Sequence, residues 1–178
     1  MTTMTNPVST VNYVKGFEPG YLGHIAQQHG EYYAKVWGSG AGFEAIVARE
    51  LSEFCERYDP ERDLLVTAHM NGELVGCIAI DGTQSERPGL ARLRWYLTDE
   101  RYQGKGIGSA LINRGLEFCR SNGFPLVYLW TVEGLPSSLH LYEKLGFKVV
   151  QRFVDSRYTM AHTQLMLELP LTATHAEP

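Results

Sequence analysis

The chain has 178 residues, 44% of them hydrophobic and 20% charged, with a formal net charge of −4. A disordered chain is excluded by that balance, and a sizeable core can be buried. The acidic excess gives no support for a nucleic-acid binder, and no run of 18 apolar residues exists to span a membrane.

Residues 1–9 are polar and patternless, as is the segment 171–178, and both read as loose tails of one domain spanning 1–178. The start has neither a basic nor an apolar stretch of the secretory kind, which points to a cytoplasmic protein. Three widely spaced cysteines, Cys55, Cys77 and Cys119, suit reduced, buried thiols better than a disulfide framework, and no metal site is implied. Thr10 to Val14 is a short β-like run. Gly20 to Trp37 follows helical spacing roughly, while Phe43, Ile46, Val47, Leu51, Phe54, Cys55 and Tyr58 follow it clearly. Pro60 ends that helix. Leu64–Met70 and Glu73–Ile80 are strands joined by Asn71-Gly72, a pair suited to a two-residue turn with positive φ at both positions. In the next strand, Leu90–Thr98, alternation places Leu93, Trp95 and Leu97 on one face and Arg92, Arg94, Tyr96 and Thr98 on the other.

After that strand comes T-D-E-R-Y-Q-G-K-G-I-G-S, residues 98–109, followed at once by a helix to about Ser121. Ile107, Ala110, Leu111, Phe118 and Cys119 form one apolar stripe; Ile112 and Leu116 add another, so cover on two sides is expected. Leu126–Val132 reads as a central strand, Pro136–Leu145 as a short helix closed by Gly146, and Phe147–Val154 with Gln164–Leu169 as a closing antiparallel pair. The class is α+β: a mixed, mostly antiparallel sheet of about seven strands flanked by helices, with one parallel β-α-β crossover over residues 90–132.

Glycines at 104, 106 and 108 let the chain turn tightly and approach a ligand. The helix start presents unpaired N–H groups and a positive dipole end, which together favour a phosphate or diphosphate. Lys105 could add charge at the rim; a turn that merely needs glycines is the plainer reading. A Walker loop is excluded, because no Lys-Ser/Thr follows the glycines. A dinucleotide fingerprint fails too: Ser109 stands where its third glycine belongs.

Q-G-K-G-I-G after a strand ending L-T-D-E, then a strand, then L-Y-E-K-L-G-F, resembles the GNAT superfamily of acetyl-CoA-dependent N-acetyltransferases. Gln103, Gly106 and Gly108 match the family's Q/R-x-x-G-x-G/A loop; Leu141, Tyr142, Gly146 and Phe147 match its later signature. More narrowly, R-L-R-W (92–95), Y-L-W-T (128–131), E-G-L (133–135) and the His29–Tyr33 stretch resemble the acetyltransferase halves of winged-helix regulator fusions.

The resemblance implies that Gln103, Gly104, Lys105, Gly106, Ile107, Gly108 and Ser109 bind the CoA diphosphate. Its pantetheine arm would pair with backbone at Tyr96, Leu97 and Thr98, where two strands splay apart. A backbone N–H near Leu97 would face the thioester oxygen as negative charge develops there. Tyr142 would be the general acid that protonates the departing thiolate, unless it is a packed helix residue beside Leu139 and Leu145. For the base, the family often has a Glu on the strand that here carries Arg92 and Arg94. Glu133, at the end of the next strand, is the nearest carboxylate; a water chain with no single base is the alternative. His140 and His69 read as surface and structural residues. The family's CoA-touching Asn is replaced by Leu135, its contact left to Ser137 or Ser138.

An aromatic and His-rich stretch, with His24, His29, Tyr32, Tyr33 and Trp37, would wall the substrate pocket or simply pack. Arg94, if turned inward, would favour an acidic substrate; a solvated Arg face is the alternative. The expected function is acetyl transfer from acetyl-CoA to a primary amine of a small molecule, or of a protein lysine, in a ternary complex. The alternative is a non-catalytic CoA or acyl-CoA-binding regulatory module. A homodimer is left open.

Overall fold

The computed structural model describes residues 10–155 and 162–171. The elements run β1 (Asn12–Lys15), α1 (Tyr21–Trp37), α2 (Ala41–Glu56), β2 (Leu64–Met70), β3 (Glu73–Asp81), β4 (Ala91–Thr98), α3 (Ile107–Ser121), β5 (Leu126–Val132), α4 (Pro136–Lys144), β6 (Lys148–Asp155) and β7 (His162–Pro170). The seven strands form one sheet in the order β1-β2-β3-β4-β5-β7-β6. Every neighbouring pair is antiparallel except β4 and β5. That parallel pair is joined through α3, the crossover that parallel strands require.

The β2–β3 turn forms as its residues dictate, with φ of 52° at Asn71 and 83° at Gly72. One sheet face packs on α3 and α4 through Val66, Ile78, Ile80, Leu93, Val127, Leu129 and Leu167. The other takes Ile25 of α1 with Leu51 and Phe54 of α2, against Leu65, Leu74, Cys77 and Leu97. At about 25 cal/mol per Å² of apolar surface, these faces supply the main drive to fold.

Three expectations are corrected. Ile107, Leu111, Ile112, Leu116 and Cys119 all join one cluster, so α3 is covered on one broad face rather than on two. Leu171, counted with the loose tail, is buried, and its N–H donates to the Pro125 carbonyl at 2.9 Å. The remaining tail residues lie outside the described segments.

The third correction matters most. The β4 alternation breaks midway. Cys77 pairs with Leu97 but Ala79 pairs with Arg94, so Trp95 and Tyr96 together oppose the single residue Ile78. This is a β-bulge. It holds Trp95 at φ 44°, a region bulky side chains rarely visit and which costs about 1–3 kcal/mol. Phe54 (centroids 5.4 Å apart) and the Arg94 guanidinium (4.0 Å) pack on the Trp95 ring. As a result Leu93 faces α3 while Trp95 and Leu97 face α1 and α2.

Candidate active site

β4 and β5 pair only from Ala91–Leu93 to Val127–Leu129, although β4 runs on to Thr98 and β5 to Val132. The strands part where the bulge begins. From Arg94 onward β4 has no strand partner on its β5 side, so backbone donors and acceptors face a gap. Two cavities meet there. One, of about 550 Å³, runs along Tyr96, Leu97, Thr98 and the loop Gln103, Gly104, Gly106, Ile107, Gly108 and Ser109. The second, of about 200 Å³, lies among His29, Tyr33, Trp37, Glu50, Arg94 and Tyr142. Tyr33, Tyr96, Leu135 and Ser138 line both.

The loop fits a diphosphate. The first backbone bond of α3 runs from the Ala110 N–H to the Gly106 carbonyl at 3.0 Å, so the N–H groups of Ile107, Gly108 and Ser109 have no acceptor within the helix. No side chain caps this end, and its first turn holds no acidic residue. Gly104 and Gly106 both sit at φ 77°, the left-handed conformation that aims successive N–H groups outward. Gly108 serves by closeness: any Cβ there would strike the Tyr96 hydroxyl. Lys105 lies over the Tyr102 ring, 5.3 Å from its centroid, and does not line the groove. Ser138 and Ser137 do line it, on the first turn of α4 beside Leu135.

Tyr142, on α4, lines the second cavity and is 5% exposed; it is also part of the core, beside Leu139 and Leu145 and with the Tyr96 and Phe147 rings 6.1 and 5.7 Å from its own. Burial, reinforced by the nearby phenols of Tyr33, Tyr96 and Tyr32, holds its pKa well above the ordinary phenol value. It therefore keeps its proton at neutral pH. Burial pushes Tyr96 up to about 12. Tyr33 borders both cavities, whereas Tyr32 borders only the loop groove of the two.

Glu133 is not brought to the gap. It is exposed, bonded to Arg152 at 2.8 Å, and lines neither cavity. Arg94 does face the second cavity, but not as a solvated side chain: it is ion-paired with Glu50 and bonded to Asp81 at 3.2 Å. Asp81, itself 1% exposed, is shared with Arg57 at 2.5 Å. His140 is exposed, and His69 bonds Thr67 at 2.9 Å on the hairpin. Trp37 and His29 line the second cavity, while His24 does not. Sequence reasoning missed Glu50, Phe43, His162 and Gln164, which come from α2 and β7. Glu50 carried a faint signal, a charge amid a helix's apolar positions; His162 carried none.

Comparison with known proteins agrees with this architecture. Residues 25–147 match the model of the "Acetyltransferase (GNAT) family". An uncharacterized N-acetyltransferase of Methanocaldococcus jannaschii is 30% identical over 91 residues, 49% of this chain and 40% of that protein. The N-acetylaspartate synthetase of Xenopus tropicalis is 37% identical over 83 residues, 47% of this chain and 30% of that protein. The matches thus span less than half of these relatives' lengths. A GNAT family acetyltransferase from Elizabethkingia anophelis, solved with acetyl-CoA bound, superposes with a TM-score of 0.61 at 14% identity, covering 90% of this chain and 98% of that one. At that identity the likeness is one of fold. With the family model covering well over half of its length, the chain belongs to the GNAT acetyltransferase family.

Proposed function

We propose that the chain moves an acetyl group from acetyl-CoA to the primary amine of a small molecule, by direct attack in a ternary complex. One observation carries this reading: a backbone-lined groove ending in a diphosphate-fitting loop and an aromatic-walled cavity share walls at Tyr33, Tyr96, Leu135 and Ser138, and Tyr142, which holds its proton, lines the second of them. Acetyl-CoA supplies the acyl group already activated as a thioester. The N–H groups of Ile107, Gly108 and Ser109 hold the diphosphate, with Gln103, Gly104 and Gly106 shaping the loop. The open edge of β4 at Tyr96, Leu97 and Thr98 orients the arm. Tyr142 donates its proton to the sulfur as the C–S bond breaks.

A small acceptor is favoured over a protein lysine. The second cavity measures about 200 Å³ and is walled by Tyr33, Trp37, Phe43 and Trp130, which suits a compact molecule rather than a polypeptide. A relative named for making N-acetylaspartate agrees with that scale. The narrower resemblance to regulator-fused acetyltransferases rests on R-L-R-W, Y-L-W-T, E-G-L and the His29–Tyr33 stretch; of these, residues 92–95, residues 129–131, Leu135, His29 and Tyr33 line the second cavity.

The test is thiol release from acetyl-CoA across a panel of primary amines. At least one small amine should turn over, and Tyr142→Phe should slow it by roughly 10²–10⁴-fold with acetyl-CoA affinity retained. Tight acetyl-CoA binding with no turnover on any amine would instead make the chain a binding module.

A further inference from the structure

Charged side chains run from the core to the second cavity in one linked series. Asp63 lies 3.8 Å from Arg57, Arg57 donates to Asp81 at 2.5 Å, Arg94 donates to Asp81 at 3.2 Å, and Arg94 is ion-paired in turn with Glu50. Three carboxylates face two guanidinium groups, so the series has a formal charge of −1. Arg92, the other cation in the cavity wall, does not offset it, because Arg92 has its own carboxylate in Glu86 at 2.9 Å.

The excess charge is presented at one end. The Asp63 and Asp81 side chains are buried, those of Arg94 and Arg57 are 12% and 19% exposed, and that of Glu50 is 39% exposed. Phe43, Ile46, Val47 and Glu50 recur at helical spacing on α2 and all line the second cavity, so a carboxylate stands in an otherwise apolar stripe. It is the one carboxylate among the described residues of that lining. Its Oε2 is taken by Arg94, and its Oε1 has no hydrogen-bond partner among the described residues. Taking ions out of water costs several kcal/mol each, so such a series is a poor device for stability alone. In a cleft with apolar walls, an unbalanced charge draws its opposite more strongly than it would in water.

We propose that the acceptor carries a second positive charge and that Glu50 holds it: the substrate class is a diamine, or an amine bearing another cationic group. The assignment rests on the acetyl transfer proposed above. Glu50 lines the second cavity and not the loop groove, whereas the two meet at Tyr33, Tyr96, Leu135 and Ser138. The nitrogen at Glu50 is therefore the one that stays unacetylated, and the other reaches the shared wall. Arg94 is a positioning residue. Bonded to Asp81 and lying over the Trp95 ring at 4.0 Å, it fixes the carboxylate that it pairs with. The expectation that an inward Arg94 would select an acidic substrate is thereby reversed, because Asp81 and Glu50 already answer its charge.

The test uses the full chain and thiol release from acetyl-CoA. Linear diamines of increasing length are compared with monoamines of the same length, and with aspartate as an acidic amine. For the best diamine, kcat/KM should exceed that of its monoamine by roughly 10- to 150-fold, the worth of one charge-assisted hydrogen bond. Glu50→Gln keeps the length of the side chain and removes its charge. It should abolish that preference by raising KM for the diamine with little change in kcat. Calorimetry with acetyl-CoA and thermal unfolding should show the variant folded and loaded as the wild type is. Equal use of diamines and monoamines, aspartate as the best acceptor, or a Glu50→Gln loss shared alike by both amines overturns the anchor and leaves acetyl transfer standing. Absence of turnover by the wild type with every amine sinks both.

Discussion

Replacing Gly106 by Val perturbs two things that can be separated. The first is the backbone. Gly106 sits at φ 77°, where an L side chain costs roughly 1–2 kcal/mol and a β-branched one somewhat more. No heavy atom lies within 4 Å of a Cβ built there, so the free protein suffers strain but no clash. For a chain of this length each kcal/mol lowers the melting temperature by about 2–4 °C, giving a drop of about 2–8 °C with the fold retained. The second is the ligand. The open space around Gly106 is the groove itself, and the valine would stand where backbone N–H groups must reach the diphosphate. Each charge-assisted hydrogen bond forfeited is worth about 1.5–3 kcal/mol, or roughly 10- to 150-fold in affinity. Gly89→Val supplies the control: its φ is 80°, it too has nothing within 4 Å, and it lines neither cavity. Calorimetry with CoA and thermal unfolding of both variants give the answer. Equal melting losses should accompany a CoA affinity lost in Gly106→Val and kept in Gly89→Val. Wild-type affinity in Gly106→Val would refute the loop as the diphosphate site.

Acid should destabilise the fold through His29. Its pKa is about 4 when folded against an ordinary 6.5, so between those values the unfolded chain binds more protons. Stability is then full above pH 6.5, falls as pH drops through the window, and levels off below about 4. The whole step is worth about 3 kcal/mol. Urea unfolding at pH 7 and pH 4 should show the gap between wild type and His29→Asn shifting by that amount in the variant's favour; parallel behaviour would contradict a neutral buried imidazole. Asp63→Ala should cost about 3–5 kcal/mol in the same assay. Asp63 is fully buried and accepts from the Gly82 N–H at 2.9 Å, the Thr83 N–H at 3.0 Å, the Thr83 hydroxyl at 2.8 Å and the Asp59 N–H at 3.0 Å. A loss below 1 kcal/mol would mean that water replaces the carboxylate freely.

The second cavity is walled by elements far apart in the chain. Here α1 supplies His29 and Tyr33, β4 supplies Tyr96 and Arg94, and α4 supplies Tyr142 and Ser138. The sheet order explains how: β4 and β5 are neighbours, so the elements at their diverging ends converge on one opening.

Features of short range could be read from residues alone. Asn71-Gly72 had to be a tight turn, because positive φ suits those residue types. The glycines of residues 104–108 had to form a tight approach before a helix, and the element order followed from hydrophobic periods of 2 and 3.6. Long-range pairing wrote the rest. The Trp95 bulge depends on how β3 aligns with β4, and without it alternation puts Trp95 and Leu97 on the wrong face. The placing of β7 between β5 and β6 brings His162 and Gln164 to the cavity across a span no local pattern reports. The pairing of Arg94 with Glu50, and the burial that leaves His29 Nε2 without a hydrogen-bond partner among the described residues, exist only once helices and sheet have closed on each other. Backbone preference acts over a few residues; charge pairing and desolvation act through space.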